Sequence, residues 1–235
     1  MWRLSLRAMR IPILYYHEIG TERGRHVVHH EDFAAQLAWL ADAGFTPLSI
    51  DGLCDVLSGR ARAPERPVLL TFDDGRAGVL RFAAPALCRM GFPATMYAVT
   101  NWLDGREIPE VERYSEFLGW RDLASLRAAG FTIGSHTLSH RTLKKLPADE
   151  VEREVVESRS RLEDRLGAPV LHFSFPKGRS TWTAARAVRR AGYRSAVATG
   201  ERFVGRFSRL RHLGRLRVDG YEGLDTFRRR LAPVG

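Results

Sequence analysis

Residues 68–75 read Val68-Leu69-Leu70-Thr71-Phe72-Asp73-Asp74-Gly75. The apolar and β-branched run predicts a buried strand, and two carboxylates sit just past its end. Side chains of adjacent residues on extended backbone point to opposite sides, so these two can act together only if the chain turns. Gly75 permits such a turn. Neighbouring carboxylates also repel unless a cation neutralises one of them. The economical arrangement is one aspartate on a metal and one held free as a base.

The same alternation of strand and helix runs outward in both directions. Upstream, residues 11–16 read as a buried strand, and 31–43 as an amphipathic helix with Phe33, Leu37 and Leu40 on one face, ended by Gly44. Residues 45–48 form a short strand, and 51–57 a short helix with Ser49 or Asp51 near its cap. Downstream, 81–90 looks helical despite Pro85, 94–99 is a strand, and 103–119 has weak periodicity and reads as an inserted loop. Helices follow at 121–129, 148–166, 183–190 and 224–231, and strands at 131–134, 170–175, 193–198 and 213–218. The helix at 148–166 spaces Glu and Arg for i,i+4 pairs on its wet face. This pattern predicts an α/β fold with a mainly parallel sheet and helices outside. Seven or eight β runs approach the number in a closed parallel barrel, whose active sites lie at the C-terminal strand ends. No linker rich in Pro, Gly or Ser divides the chain, so residues 1–235 are expected to form one domain with its core at about 11–218.

A chain of 235 residues can bury a substantial core without disulfide or metal staples. The net charge is +10; Lys occurs only at 144, 145 and 177, so 34 of the 37 cationic residues are Arg. Such a balance suits anionic partners in principle, but the arginines are not interleaved with aromatics as in a base-stacking surface, and no nucleic-acid recognition motif is present. Cys54 and Cys88 have no metal or redox spacing and read as reduced core thiols. The segment from Met1 to Arg10 is basic, but the apolar run after it is short and contains Pro12, so neither a cleaved secretory signal nor a transmembrane anchor is expected. The expected location is therefore the cytoplasm.

A second string, His136-Thr137-Leu138-Ser139-His140, follows the predicted strand at 131–134. On a helical turn, histidines four apart face the same side, a common zinc geometry. Asp74 would complete a two-histidine, one-carboxylate face; zinc suits it, although iron or cobalt also fits. Alone, an HxxxH spacing is usually structural and an Asp-Asp-Gly is usually a turn. Both following buried strands of one barrel pattern makes the coincidence informative.

With these residues in view, the chain resembles the NodB-homology polysaccharide deacetylases, carbohydrate esterase family 4. The resemblance lies in Thr71–Gly75, His136–His140 and Phe173-Ser174-Phe175-Pro176-Lys177-Gly178, with connecting segments at 92–95 and 130–135, and it spans roughly residues 11–218. It implies a distorted (β/α)7–8 barrel and metal-dependent hydrolysis of N-acetyl groups on an amino sugar or glycan, with release of acetate. By that analogy Asp73 is the general base, and Asp74, His136 and His140 bind a divalent metal, most simply Zn2+. The Lys177 N–H would help hold the oxyanion. The late Leu-x-His motif of many members has no match here. Leu14-Tyr15-Tyr16-His17 instead looks like the permuted branch typified by poly-N-acetylglucosamine deacetylases, which makes His17 the candidate acid for the amine leaving group. Arg215 resembles the arginine that branch supplies to orient the base. Pro176, Lys177 and Trp182 are the candidate substrate-binding residues, and Trp102 is a further groove candidate. His26, His29 and His30 read as surface or rim positions. Departures from the family include Lys177 in place of a frequent Tyr, and the lack of an Arg just before Phe175.

The leading expectation is a carbohydrate N-deacetylase with a glycan substrate and no nucleic-acid partner. An amidase or imidase on a small compound, or a carbohydrate-binding pseudoenzyme, remains an alternative, because fold and metal do not fix substrate. Filled catalytic positions disfavour the pseudoenzyme.

Overall fold

The computed structural model describes residues 9–112 and 115–232. Most of the N-terminal segment examined for a signal, residues 1–8, lies outside them. The elements in chain order are β1 (Ile13–Tyr16), β2 (Glu18–Gly20), β3 (Val27–His29), α1 (His30–Asp42), β4 (Thr46–Pro47), α2 (Ile50–Leu57), β5 (Pro67–Phe72) and α3 (Ala84–Met90). They continue with β6 (Ala94–Ala98), α4 (Trp120–Ala128), β7 (Thr132–Ser135), α5 (Ala148–Leu166), β8 (His172–Ser174), α6 (Trp182–Arg190), β9 (Ser195–Val197), β10 (Leu216–Arg217) and α7 (Leu224–Leu231).

The main sheet runs β10-β1-β5-β6-β7-β8-β9, with β4 pairing β5 off this path. Its neighbouring strands are parallel. A parallel bridge from Val197 to Leu213 brings the segment entering β10 against β9, while Leu216 pairs with Leu14 of β1. One short segment thus touches both ends of the strand order, and the sheet curls into a distorted barrel with helices outside, the architecture expected from the alternation.

Side-chain alternation explains the two cores. In β1 and β5, Leu14, Tyr16, Leu70 and Phe72 face outward into the layer packed against the helices. Ile13 and Leu69 face inward and join Ile50 and Leu53 of α2, Tyr97 and Val197 in a second cluster, so α2 floors the barrel at its N-terminal end. Continuing the β5 alternation puts Thr71 and then Asp73 inside. Gly134 of β7 also faces inward, and a Cβ there would come within 2.5 Å of the Tyr97 ring.

Three local expectations change. The 81–90 helix is a π-turn over Val79–Ala83 running into α3, with Pro85 in the first turn, where its missing N–H costs little. The connection after His17 contains the paired strands β2 and β3, each three residues long and too short to show a period. Cys54 is buried, but Cys88 is exposed, because α3 buries Ala84, Ala86 and Leu87 and turns Cys88 outward. Among the described residues, no helix is long and apolar enough to cross a membrane.

Candidate active site

Each residue of the cluster reaches the C-terminal mouth of the barrel for a local reason. Asp73 arrives inside by strand alternation. Asp74 reaches the same space because the chain turns at Asp74 itself, at φ +75°, and continues through Gly75 at φ +84°. The turn foreseen at Gly75 therefore begins one residue earlier.

The histidine string is not a helical turn, contrary to expectation. It is an irregular loop with left-handed backbone at Thr137 (φ 74°) and His140 (φ 59°). What holds it is Glu154 of α5, which is 1% exposed. One carboxylate oxygen accepts from the Leu138 N–H at 3.0 Å and the Ser139 N–H at 2.9 Å, and the other accepts from the Ser139 hydroxyl. The Thr137 hydroxyl accepts from the His140 N–H at 3.0 Å, and the Thr137 and Leu138 carbonyls accept from Thr100 and Asn101. With the His136 N–H on the Ala98 carbonyl and the Thr137 N–H on the Ser135 hydroxyl, every N–H of the loop is paired, and its imidazoles are aimed without a helix.

His136 Nε2 and His140 Nε2 each lie 3.6 Å from the same Asp74 oxygen, and the ligand atoms of all three residues fall within 4.8 Å of one another. His136 Nδ1 donates to the Ser174 carbonyl at 2.8 Å, which leaves the Nε2 lone pair facing Asp74. Burial and the neighbouring His136 push the His140 imidazole down to about 4, so it is neutral at neutral pH. Burial would raise the Asp74 carboxyl, but His17, His140, His136 and Arg76 outweigh it and hold the group below its ordinary value. Two imidazole nitrogens and one carboxylate oxygen, converging with one histidine already anchored through its other nitrogen, fit a divalent cation.

Asp73 sits beside this face, with its carboxylate 4.0 Å from His136 Nε2. Arg215, fully buried, donates to its two oxygens at 2.8 and 2.6 Å. The same guanidinium donates to the Thr71 and Ser174 hydroxyls and lies 4.4 Å over the Tyr15 ring. Burial would raise the Asp73 carboxyl; Arg215 and His136 overcome that and hold it well below the carboxylate range. Ser174 stands where the family often has an arginine, and its small side chain leaves room for Arg215.

A cavity of about 350 Å³ collects Tyr15, His17, His26, Asp73, Asp74, Arg76, His136, His140 and Lys177. His26, read from sequence as a rim residue, is one of the walls. Its ring meets the His17 ring edge-on at 4.6 Å, with the two Nδ1 atoms 3.5 Å apart, and Arg217 approaches His26 Nδ1 at 3.4 Å. A guanidinium only donates, so His26 Nδ1 accepts, and the proton between the imidazoles belongs on His17 Nδ1. That leaves His17 Nε2 as the nitrogen free to exchange protons. Burial holds His17 below the ordinary imidazole value; Asp74 and Asp73 oppose that lowering without undoing it. Arg76 lies 3.6 Å from Asp74 and is itself held by Glu112 at 2.8 Å, which ties the inserted loop to the site.

The substrate candidates separate. Lys177 is an exposed rim residue with φ 55°, followed by Gly178 at φ 64°, where a Cβ would strike the Thr199 side chain at 2.1 Å. Pro176 is buried beneath that turn, and it does not line the cavity. Trp182 is outside it as well, 76% exposed on a neighbouring cavity. Trp102 is buried against the His140 ring at 5.1 Å.

The model of a protein family described as polysaccharide deacetylase matches residues 60–196, more than half of the chain. The polysaccharide-deacetylase-like protein YxkH of Bacillus subtilis is 27% identical over 217 residues, covering 92% of this chain and 74% of that protein. The poly-β-1,6-N-acetyl-D-glucosamine N-deacetylase of Escherichia coli is 31% identical over 111 residues, 43% of this chain but only 16% of that protein. Among solved structures, a Streptococcus pyogenes deacetylase in complex with acetate superposes with a TM-score of 0.85 at 23% identity, covering 96% of this chain and 100% of the other. IcaB from Ammonifex degensii gives 0.79 at 24%, covering 89% and 91%. At these identities, the structural matches speak for the fold.

Proposed function

This chain belongs to the polysaccharide deacetylase family, and from that premise we propose that its mouth cavity removes N-acetyl groups from an N-acetylated amino sugar or glycan, releasing acetate. It is a hydrolase of carbon–nitrogen bonds other than peptide bonds. The observation that carries the reading is the placement of an arginine-clamped carboxylate, Asp73, against the Asp74–His136–His140 face in one cavity.

We assign Asp74, His136 and His140 as ligands of a divalent cation, Zn2+ by the softness of its nitrogen donors. Such a cation supplies Lewis-acid polarisation of a carbonyl and makes water acidic near neutral pH. Asp73 takes the proton of the attacking water on a carboxylate oxygen; Arg215 keeps that carboxylate ionised and fixed in direction. The Lys177 N–H and the left-handed turn that presents it serve the developing oxyanion. The departing amine is too basic to leave as an anion, so it needs a proton, and His17 Nε2 is the donor. One proton passes from water to Asp73 and one from His17 to the amine; return of the first to His17, within the same cavity, resets both groups. Two free thiols fit a reducing compartment, and the cytoplasm is the proposed location.

The test is acetate release from N-acetylglucosamine oligomers by the zinc-reconstituted chain. Turnover is expected, with loss on chelation and recovery on adding zinc. Absence of acetate from every N-acetylated sugar offered, in metal-loaded and folded protein, would overturn the reading.

A further inference from the structure

Beside the catalytic cavity lies a larger one, of about 700 Å³, whose walls include Trp182, Arg186, Arg189, Arg209, Arg211 and His212. We propose that it is an extension subsite for an anionic glycan, one that carries carboxylates or phosphates along the chain being deacetylated. The proposal rests on the deacetylase reading.

Charge is the first argument. No Asp or Glu lines this cavity. The chain is rich in arginine, and several arginines elsewhere meet carboxylates: Arg23 with Asp32, Arg60 with Asp55, Arg141 with Glu150, Arg159 with Glu163, Arg230 with Glu222, while others, such as Arg66 and Arg127, bond single backbone carbonyls. Arg186, Arg189 and Arg209 are exposed and line the cavity with no carboxylate partner among the described residues. Arg211 is half-buried, and its Nε donates to the Tyr193 carbonyl at 2.8 Å, which fixes the direction of its guanidinium. His212 reports the local field: burial, Arg202 and Arg209 all lower it, and no carboxylate opposes them. Gathered guanidiniums are the side chains best shaped for bidentate capture of carboxylate or phosphate.

The second argument is the exposed indole. Trp182 has the Arg186 guanidinium 5.4 Å from its ring centroid, yet it remains 76% exposed. An open aromatic face edged by cations offers a sugar ring an apolar platform and its acid groups a counter-charge. The third argument is contiguity. Lys177 and Gly178 line the catalytic cavity, and Ser180 and Thr181 line the basic one. Two residues of chain span at most ~7 Å, so the linings of the two cavities come within that backbone distance at Gly178 and Ser180, within reach of one oligosaccharide. The Ser180 hydroxyl and His212 Nδ1, 2.9 Å apart, tie the two walls together. A concave cavity whose lining begins two residues from that of the reaction site favours a glycan over a membrane or a nucleic acid, neither of which would need that proximity.

The experiment measures calorimetric binding of the full zinc-loaded chain to three probes of matched length: chitin oligosaccharides, hyaluronan oligosaccharides carrying carboxylates, and a phosphodiester-linked N-acetylhexosamine polymer. At least one anionic probe should bind roughly tenfold or more tighter than the neutral one, as expected for paired guanidinium contacts. Arg186→Glu combined with Arg209→Glu should erase that margin, and Trp182→Ala should weaken the binding of all three probes. The double arginine variant should keep its melting temperature and its turnover on chitin oligosaccharides, because both positions are exposed and neither lines the catalytic cavity. Equal binding of neutral and anionic probes overturns the proposal, as does a margin indifferent to the arginine changes. Tighter binding to phosphatidylglycerol vesicles or to oligothymidylate, indifferent to Trp182→Ala, also overturns it. Acetate release with no anionic preference sinks this proposal alone. Arginine-dependent anionic-glycan binding with no acetate from any probe sinks the deacetylase reading and leaves the binding site standing.

Discussion

The two ends of the barrel hold similar parts and put them to different uses. At the mouth, His136 on the β7 exit anchors Nδ1 on a backbone carbonyl and turns Nε2 toward Asp74. At the floor, His172 of β8 anchors Nδ1 on the Ser195 hydroxyl at 2.8 Å and turns Nε2 to Asp51 at 3.2 Å. Taken pair by pair, the two are alike: a buried imidazole, a fixed orientation, a carboxylate partner. The difference lies in what surrounds them. Asp74 faces a second imidazole across the mouth cavity, with Arg76 only at 3.6 Å, whereas Asp51, which lines a smaller cavity with His172, faces no second imidazole and meets Arg194 at 2.6 Å, so its charge is already answered by protein. A histidine–aspartate contact becomes a site only where ligands converge and a position is left for something else. At the floor, the same contact pins α2 under the strands.

The sharpest way to break that contrast is Asp73→Asn. The change keeps shape and removes the base, so turnover should fall by ~10²–10⁴ while zinc binding, measured by metal analysis, is retained. Loss of metal would mean that Asp73 belongs to the ligand set, and that the division between base and ligand is wrong. Arg215→Met tests the same carboxylate from behind. It strands a fully buried Asp73 without its counter-charge, which should cost about 3–5 kcal/mol in urea unfolding. Asp73→Asn added to Arg215→Met should recover much of that loss, because the orphaned charge is then gone. If the double variant is no more stable than Arg215→Met, the clamp is packing rather than charge pairing.

These two residues also show what was readable in advance. Asp73 and Asp74 announced themselves as a pair after a strand, and the histidine string did so after another, because both lie where strand patterning stops. Which of the two carboxylates points inward was not readable, because the run at 68–72 is apolar on both faces; the fold puts Leu69, Thr71 and Asp73 on the inner one. Arg215 was found through family resemblance alone; nothing local distinguishes it from the other arginines until the fold buries it. Glu154 was missed although a signal existed. Val151, Glu154, Val155, Ser158 and Leu162 follow the buried stripe of α5, and a carboxylate on that stripe needs donors. The structure brings the two histidines together, but not on the helical turn their spacing suggested, since left-handed Thr137 and His140, on either side of the Leu138–Ser139 segment that Glu154 holds, converge imidazoles as well as a helix does. His26 and the Arg76–Glu112 link depend on contacts between short segments with no period to read.

The smallest effect is expected at the floor, from Asp51→Asn. The His172 hydrogen bond is the main force holding the Asp51 carboxyl below its ordinary value, burial pulls the other way, and Arg194 adds to the lowering. A carboxyl lowered on folding stabilises the fold above its unfolded pKa and loses that contribution as pH falls through the folded value. Wild type should therefore exceed the variant in stability at neutral pH, and the gap should close progressively below ~pH 4. The Asp51 side chain is 46% exposed, so solvent screening limits the gap to below ~1 kcal/mol. Urea midpoints measured across pH check the sign and size. Turnover at neutral pH should not change, because the floor touches none of the converging ligands. A rate loss comparable to that of Asp73→Asn would mean that the floor reaches the reaction through β8, where His172 and Ser174 share a face. In that case, the two ends of the barrel could no longer be treated as separate.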